Sequence, residues 1–477
     1  MRLKSWHYVA LGLFIAISVH LIEQIVYSLP FGLHSTADDP SYYQPAFNFL
    51  YGNGWKDNSI GESSFVARPP LMGFIYLIGK ILVNKYVFTF IYILALIFHA
   101  CAIYQFHKRI SVVLSPFYQK LTIAIFIALP CFWGFLSYGI TEAFSCSFVL
   151  LSFALIVTKS EKKRIYYLIG IIAFFLLFRP VLILLFIPIL IHSLFNLRNQ
   201  ISEKISVKLK VIVLSLVFIA SIWQIRVYKH VNEFSFHPIY HESNVSEFRK
   251  PHQALGELFK IWEYRPEYVH FWVGKCRTNL KITQDEIQHY CSDSKVPIRA
   301  KKLHELLLKL QISYKELQFI YIQKQQVSET KFEKELTQQI ELETKKLREH
   351  YRFQNMIQTP LLSAKYMFTK SQLNLGIFQE KWRGTFWVEA LRYFCVFILI
   401  SSVIAVFLSV FNSNGHLKLV ALGIVLFYFY LVYFQRLNED RYLIPVQGIS
   451  LLFLFLQLEK IITFLKKKGT FISKFRK

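Results

Sequence analysis

Apolar runs alternate with short polar connectors along most of the chain, and several runs reach the roughly twenty residues that an α-helix needs to cross a bilayer. The runs predict spans at 6–29, 71–106, 119–135, 137–157, 209–228, 386–411, 416–434 and 441–458, and a helical hairpin over 165–195. With the hairpin counted as two helices, the pattern predicts an all-α polytopic membrane protein of about ten transmembrane helices.

Two of these runs are irregular. The stretch 71–83 is too short to span alone. It is either a partly inserted segment that leads into 86–106 or the upper part of one long, tilted helix. The run 165–195 is too long for one helix and is broken at Phe178-Arg179-Pro180, because proline disfavours helical geometry at and before its own position. It predicts a hairpin, spanning or re-entrant, with Arg179 at its tip.

The long polar segment 229–385 separates an N-terminal module, 1–228, from C-terminal helices and a basic tail, 386–477. Its second half, about 298–350, predicts two amphipathic helices. A leucine stripe at helical spacing marks the first of them: Leu303, Leu306, Leu307 and Leu310. Cys276 and Cys291 lie in the same polar segment, and a disulfide between them is an option if the segment is outside the cytosol.

The charge distribution gives these elements a topology. The chain has 55 Lys and Arg against 30 Asp and Glu, a net charge of +25. Most of the positive charge lies in connectors between apolar runs and in the tail, which is the pattern of cytoplasmic loops and does not favour nucleic-acid binding. We therefore expect a multi-pass protein of the cytoplasmic (inner) membrane with both termini cytoplasmic and 229–385 outside as a mostly helical domain. The first run is longer than a signal-peptide core and lacks a clear cleavage site, so it predicts a retained helix.

This topology collects the conspicuous polar residues on the outer face. They are Asp38 and Asp39 in the first outer loop (30–70), Arg68 at the end of that loop, Glu142 at a helix start, Arg179 at the hairpin tip, and Arg441 with Tyr442 at the start of the last span. Ionisable residues at membrane depth are costly and tend to be functional. The same residues also have explanations that involve no function: turn formation, favourable charge at helix ends, and snorkelling of arginine to the headgroups.

Carboxylates and arginines at the membrane surface fit a glycosyl transfer. A carboxylate accepts the proton of an attacking hydroxyl, while arginines, or a metal held by acids, stabilise a departing phosphate. Five short motifs occur in this order: Asp38-Asp-Pro-Ser-Tyr-Tyr-Gln-Pro-Ala46, Arg68-Pro-Pro-Leu71, Tyr138-Gly-Ile-Thr-Glu142, Phe178-Arg-Pro180 and Arg441-Tyr-Leu-Ile-Pro445. Their order and spacing resemble the GT-C clan of membrane glycosyltransferases, which includes protein O-mannosyltransferases and the aminoarabinose transferases that modify lipid A.

The resemblance implies a GT-C-like fold, a polyprenyl-phosphate sugar donor and an acceptor that is a lipid, a glycan or a protein. It places Asp38 at the catalytic position as the general base, because Tyr42 and Ala46 follow at the family's offsets. Asp39 corresponds to a second acid that binds the acceptor or, with Asp38, a divalent metal. Arg68, Arg179 and Arg441 with Tyr442 would contact the phosphate, and Glu142 would support them.

Two other functions remain open at this stage. A transporter or flippase for a lipid-linked or charged solute would also span the membrane many times, but such proteins tend to have repeated halves and polar groups near the midplane. Here the halves differ and the acids and arginines gather at one face. A polysaccharide polymerase or ligase would use the same carrier, and the segment 229–385 does not discriminate against it. The sugar, the acceptor and a metal requirement are not specified by the sequence.

Overall fold

A computed structural model describes residues 4–27, 39–57, 64–65, 69–157, 161–198, 214, 218, 221–226, 228–229, 250–294, 296–322, 330–369, 384–413, 415–436 and 440–475. Asp38 and Arg68 lie outside the described residues, as does most of the predicted span 209–228. The described part is helical, apart from one antiparallel pair of two-residue strands, Lys56–Asp57 and Ser64–Phe65. The predicted all-α class is therefore confirmed.

The N-terminal helices, numbered in chain order, are α1 (Ser5–Tyr27), α2 (Pro40–Leu50), α3 (Leu71–Val83), α4 (Val87–Ile110), α5 (Pro116–Ala128), α6 (Pro130–Trp133), α7 (Glu142–Val157), α8 (Glu161–Phe178) and α9 (Ile187–Arg198). The C-terminal ones are α16 (Phe386–Asn412), α17 (Gly415–Phe429, continued by a π-turn over Tyr430–Gln435) and α18 (Ile444–Phe475). These twelve helices share one buried apolar core and are called the membrane module below.

Five described stretches are long and apolar enough to cross a membrane: Ser5–Val26, Leu71–Ile110, Phe386–Asn412, Gly415–Gln435 and Arg441–Lys466. Three shorter apolar helices accompany them, at Glu142–Ile156, Arg164–Phe178 and Ile187–Asn196. The protein therefore has the helices of a membrane protein. The count of about ten spans and the GT-C arrangement remain predictions.

The stretch Leu71–Ile110 is not one straight helix. A 3₁₀ turn at Asn84–Tyr86 separates α3 from α4, and Asn84 adopts a positive φ of 43°. The ring of Tyr76 then lies 6.2 Å from that of Phe88, although residues twelve positions apart in a continuous helix are separated by about 18 Å. The chain reverses here, so the alternative of one long, tilted helix is wrong, and α3 is a separate short segment packed against α4.

The break predicted in the run 165–195 is confirmed. Helix α8 ends at Phe178, Arg179 is extended, and a 3₁₀ helix begins at Pro180 and leads into α9. The rings of Phe175 and Phe186 stack 5.6 Å apart across the break. Two helices folded back on each other thus present Arg179 at their turn.

The polar segment contains a second bundle with its own core. Its helices are α10 (Lys250–Phe259), α11 (Pro266–Arg277), α12 (Gln284–Asp293), α13 (Ala300–Ile322) and α14 (Lys331–His350), and we call residues 250–350 the helical domain. Both predicted amphipathic helices are present as α13 and α14. The stripe Leu303, Leu306, Leu307 and Leu310 has no exposed surface and packs into the domain's core.

The disulfide considered between Cys276 and Cys291 is wrong, because both cysteines are free. The thiol of Cys276 points into the core of the helical domain and donates to the carbonyl of Leu307 at 3.4 Å. Burial raises the pKa of Cys276 to about 12. The thiol therefore acts as a small buried group rather than as a reactive one.

The helical domain is tied to the membrane module by a helix and by an arginine. A π-turn at Gln354–Gln358 continues into α15 (Thr359–Thr369), whose Met367 is buried in the core of the membrane module. Arg436, which follows the end of the α17 stretch, donates to the carbonyl of Lys260 at 2.6 Å and to the side-chain and backbone oxygens of Asn355 at 2.8 and 2.7 Å.

Candidate active site

The candidate site is built around the turn that precedes α7. The hydroxyl of Tyr76 on α3 donates to the carbonyl of Gly139 in this turn at 2.9 Å. A Cβ atom at Gly139 would lie 2.5 Å from that hydroxyl and 2.9 Å from Oδ2 of Asp39. Glycine is therefore required by close packing, because α3 and the start of α2 both press against this one backbone position. Asp39, only 2% exposed, thus lies directly beside the predicted Tyr138–Glu142 motif.

A buried ion pair lies at the other end of the same turn. Oε1 of Glu142, the first residue of α7, is 3.1 Å from Nη1 of Arg179. The hydroxyl of Thr141 donates to Oε2 of Glu142 at 3.1 Å and accepts from Arg179 at 3.4 Å. The two charged side chains are only 6% and 11% exposed. The turn before α7 and the break after α8 therefore meet in one polar cluster.

The start of the last span adds two further residues to this cluster. The guanidinium of Arg179 lies 5.2 Å from the ring centre of Tyr442, and that of Arg441 lies 5.6 Å from the same ring. Both distances are within the range of cation–π attraction. Arg441 is also close enough to Glu142 to interact with its carboxylate electrostatically.

Local sequence explains why Arg179 and Arg441 occupy this position. Arg179 has φ −157° and ψ 89°, because the proline after it disfavours helical geometry, and this extended residue ends the α8 ladder. Arg441 lies in a 3₁₀ turn, Asp440–Leu443, immediately before α18. Both arginines thus lie at helix ends, where side chains reach neighbouring segments more readily than from the middle of a packed helix.

The four residues Glu142, Arg179, Arg441 and Tyr442 carry one more positive than negative charge. Arg179 and Arg441 supply two cations, and Glu142 supplies one anion. A phosphate or another small anion would complement this arrangement, since guanidinium groups bind phosphate oxygens through charge-assisted hydrogen bonds. Asp39 lies beside Gly139 of the same turn, so an acid and a pair of arginines border one loop.

The structure brings together five of the seven predicted site residues. Asp39 lies beside Gly139 of the turn, and the other four form the cluster at the end of the turn: Glu142, Arg179, Arg441 and Tyr442. Asp38 and Arg68 lie outside the described residues. The described residues contain no group of three or more His, Cys, Asp and Glu side chains that could hold a metal ion. The metal assigned to Asp38 and Asp39 therefore stays a prediction.

One polar group inside the bundle was missed by the sequence analysis. His20 and Gln24 on α1 are both buried, and their side chains are 2.9 Å apart. The ring of Tyr92 on α4 lies 4.4 Å from that of His20, and Glu23 borders the same small cavity as His20 and Tyr92. The signal was available, because three polar residues, His20, Glu23 and Gln24, interrupt an otherwise apolar span.

A cleft of about 1220 Å³ lies elsewhere, in the helical domain between α10 and α14. Its size does not make it the reaction centre, since it contains none of the predicted site residues. Comparisons of the chain with family models, with curated proteins and with solved structures found no match. The assignment of the site therefore depends on its own geometry and chemistry.

Proposed function

We propose that the protein is a membrane glycosyltransferase of the GT-C type that transfers a sugar from a polyprenyl-phosphate carrier to an acceptor outside the cytoplasmic membrane. In this reaction an acceptor hydroxyl attacks the anomeric carbon, and the bond between that carbon and the carrier phosphate breaks. Asp38 takes the hydroxyl proton as general base, and the polyprenyl phosphate leaves as an anion. The acceptor is a lipid, a glycan or a protein.

One observation carries this proposal. Glu142, Arg179 and Arg441 come from three segments that are far apart in sequence, yet Arg179 pairs with Glu142 and both arginines lie against the ring of Tyr442. Their net positive charge suits the departing phosphate. Asp39, which borders the same turn, is the direct neighbour of Asp38. The arrangement therefore supports a site at one turn in which an acid serves the acceptor and two arginines bind the phosphate of the donor.

Each residue has a distinct part in this mechanism. Arg179 and Arg441 bind the phosphate oxygens and neutralise the charge that develops as the carrier leaves. Tyr442 keeps the two guanidinium groups together against its ring. Glu142 orients Arg179 through their ion pair, and Asp39 contacts the acceptor beside Asp38.

The test uses the purified full chain and a panel of polyprenyl-phosphate sugars, with release of the carrier phosphate as the readout. Asp38→Asn removes the base and should lower turnover by about 10² to 10⁴-fold while folding stays intact. Asp293→Asn is the matched control, because Asp293 is an exposed aspartate of the helical domain, and it should behave as wild type. Equal turnover in wild type and Asp38→Asn would exclude Asp38 as the base.

The same preparation separates the competing functions. Movement of a lipid-linked solute across a vesicle membrane without breakage of the sugar–phosphate bond would establish a transporter or flippase and overturn the proposal. Extension of a glycan by many units per carrier would establish a polymerase. Transfer of a single sugar to an added acceptor extract is the result expected of a glycosyltransferase.

A further inference from the structure

The segment that links the helical domain to the membrane module has an apolar side that is turned away from the protein. Phe353, Met356, Ile357 and Leu361 are 68%, 53%, 47% and 65% exposed, and their positions i, i+3, i+4 and i+8 place them along one side of the helix. We call these four residues the apolar stripe. In water, four adjacent large apolar side chains are an unfavourable surface, so the stripe indicates contact with an apolar phase or a partner.

The opposite side of the same segment is packed against the protein. Thr359, Pro360, Ser363 and Met367 are buried, and the hydroxyl of Thr359 donates to the carbonyl of Ile261 at 2.8 Å. The segment is therefore fixed in orientation. The apolar stripe does not become buried by rotation of the helix, because rotation would break these contacts.

Arg436 indicates the depth of the apolar stripe in the membrane. This arginine follows directly after Gly415–Gln435, one of the five stretches long and apolar enough to span. It is 8% exposed and donates to both oxygens of Asn355, which lies between Phe353 and Met356. The stripe is thus held at the point where a spanning helix ends, which is the depth of the lipid headgroups.

A basic cleft adjoins the apolar stripe. The cleft has a volume of about 1220 Å³, and Arg352 and Met356 both line it. Its charged lining consists of five basic and three acidic residues: Lys250, Lys260, Lys345, Arg348, Arg352, Glu257, Glu341 and Glu349. Arg348 pairs with Glu257 at 2.7 Å, and Lys345 and Arg352 are exposed beside this pair. Positive charge next to apolar surface is the composition that recognises an anionic amphiphile.

We propose that the apolar stripe and the basic cleft together bind an anionic phospholipid of the surrounding bilayer. The acyl chains lie against the stripe, and the phosphate headgroup enters the cleft near Lys345 and Arg352. The site is separate from the candidate active site and does not depend on the proposed function. It would fix the helical domain against the bilayer surface.

The test exchanges lipid around the full chain. The protein is reconstituted into nanodiscs of phosphatidylcholine and phosphatidylglycerol, released, and weighed by native mass spectrometry to count retained lipids of each kind. Wild type should retain phosphatidylglycerol preferentially. The variant with Lys345→Ala and Arg352→Ala should reduce this preference by roughly 30-fold, because each basic residue near an anionic surface contributes about 1 kcal/mol and every 1.4 kcal/mol is tenfold.

Two matched variants keep the result interpretable. Lys331→Ala with Lys302→Ala removes two lysines of the helical domain that do not line the cleft, and it should retain phosphatidylglycerol as wild type does. Phe353→Ser with Leu361→Ser removes apolar surface and should reduce retention of both lipids at this site.

No preference for phosphatidylglycerol in wild type, or an unchanged preference in the Lys345 and Arg352 variant, would overturn the proposal. Displacement of the lipid by soluble glycerol phosphate at equal concentration would also overturn it, since the headgroup alone would then be the ligand.

Discussion

Arg179 and Glu142 form an ion pair of 3.1 Å that is almost closed to solvent, at the meeting point of the α8 break and the start of α7. A buried pair of this kind often contributes little net stability, yet the loss of one partner leaves an uncompensated charge. The pair therefore gives a way to separate a structural role of Arg179 from a role in binding phosphate.

Three variants make this separation. Arg179→Met alone should lower the free energy of unfolding by about 3–5 kcal/mol, because the Glu142 carboxylate stays buried without its partner. The double variant Glu142→Gln with Arg179→Met should recover most of that loss. If Arg179 binds the carrier phosphate, the double variant regains stability but not turnover. Recovery of both stability and turnover in the double variant would show that Arg179 has no part in the reaction. Stability is measured by denaturant unfolding in detergent and turnover by carrier-phosphate release.

Gly139→Ala tests the close packing between the turn and Asp39. The added methyl group would lie 2.5 Å from the Tyr76 hydroxyl and 2.9 Å from the Asp39 carboxylate, so the turn must shift. We expect a destabilisation of about 1–3 kcal/mol and a loss of turnover, because the added methyl group separates the turn from the Asp39 carboxylate. Tyr76→Phe in the Gly139→Ala background removes the nearer oxygen and should restore part of the stability.

The control for this substitution is Gly170→Ala, since a Cβ there meets no atom within 4 Å. Gly170 lies inside α8, where alanine favours the helix by about 1 kcal/mol over glycine. Thermal unfolding in detergent should therefore show a slightly higher transition for Gly170→Ala and a lower one for Gly139→Ala. A lower transition in both variants would mean that the effect at Gly139 is not specific to the turn.

Features encoded by neighbouring residues could be predicted from the sequence. The break at Pro180 follows from the geometry of one residue, and α14 begins with a capping box between Thr330 and Glu333, a signal contained in four positions. The leucine stripe of α13 follows from helical periodicity. Each of these features depends only on short-range geometry, so the order of residues along the chain is sufficient to predict it.

Features that depend on distant contacts could not be predicted in the same way. Asn84 and Lys85 interrupt the apolar runs, but this interruption does not specify the reversal between α3 and α4, which depends on the positive φ of Asn84. The hydrogen bond from Arg436 to Asn355 joins the end of a predicted span to a helix of the polar segment. The meeting of Arg179 with Glu142 was expected only because the topology and the family resemblance put both on one face.

His252 gives the helical domain a dependence on pH. Its Nδ1 lies 2.7 Å from the Tyr314 hydroxyl, and burial, with smaller effects of His270 and Arg277, lowers the pKa of His252 to about 4. In the unfolded chain the ordinary pKa is about 6.5. Between these two pH values the unfolded state binds one more proton at His252 than the folded state does. The stability that neutral His252 contributes is therefore fully present above pH 6.5 and is lost as the pH falls towards 4.

This pH effect should amount to about 1–3 kcal/mol in the free energy of opening α10 and α13. Hydrogen exchange of the amides in these helices, corrected for the intrinsic effect of pH, measures it in the full chain. His252→Gln lacks the titrating group and should have a flatter profile than wild type between pH 4 and 6.5. Profiles of equal slope would assign the pH dependence to groups other than His252.

The two faces of α13 provide the last prediction. Leu310 has no exposed surface, whereas Ile312, two positions further on, is 48% exposed. Leu310→Ala removes apolar atoms from a closed core and should lower the free energy of opening the helical domain by about 2–5 kcal/mol. Ile312→Ala removes atoms that are largely in contact with solvent and should change it by about 0.5 kcal/mol or less. Hydrogen exchange of the α13 amides gives both values in the full chain, and equal effects of the two substitutions would contradict the packing of this helix.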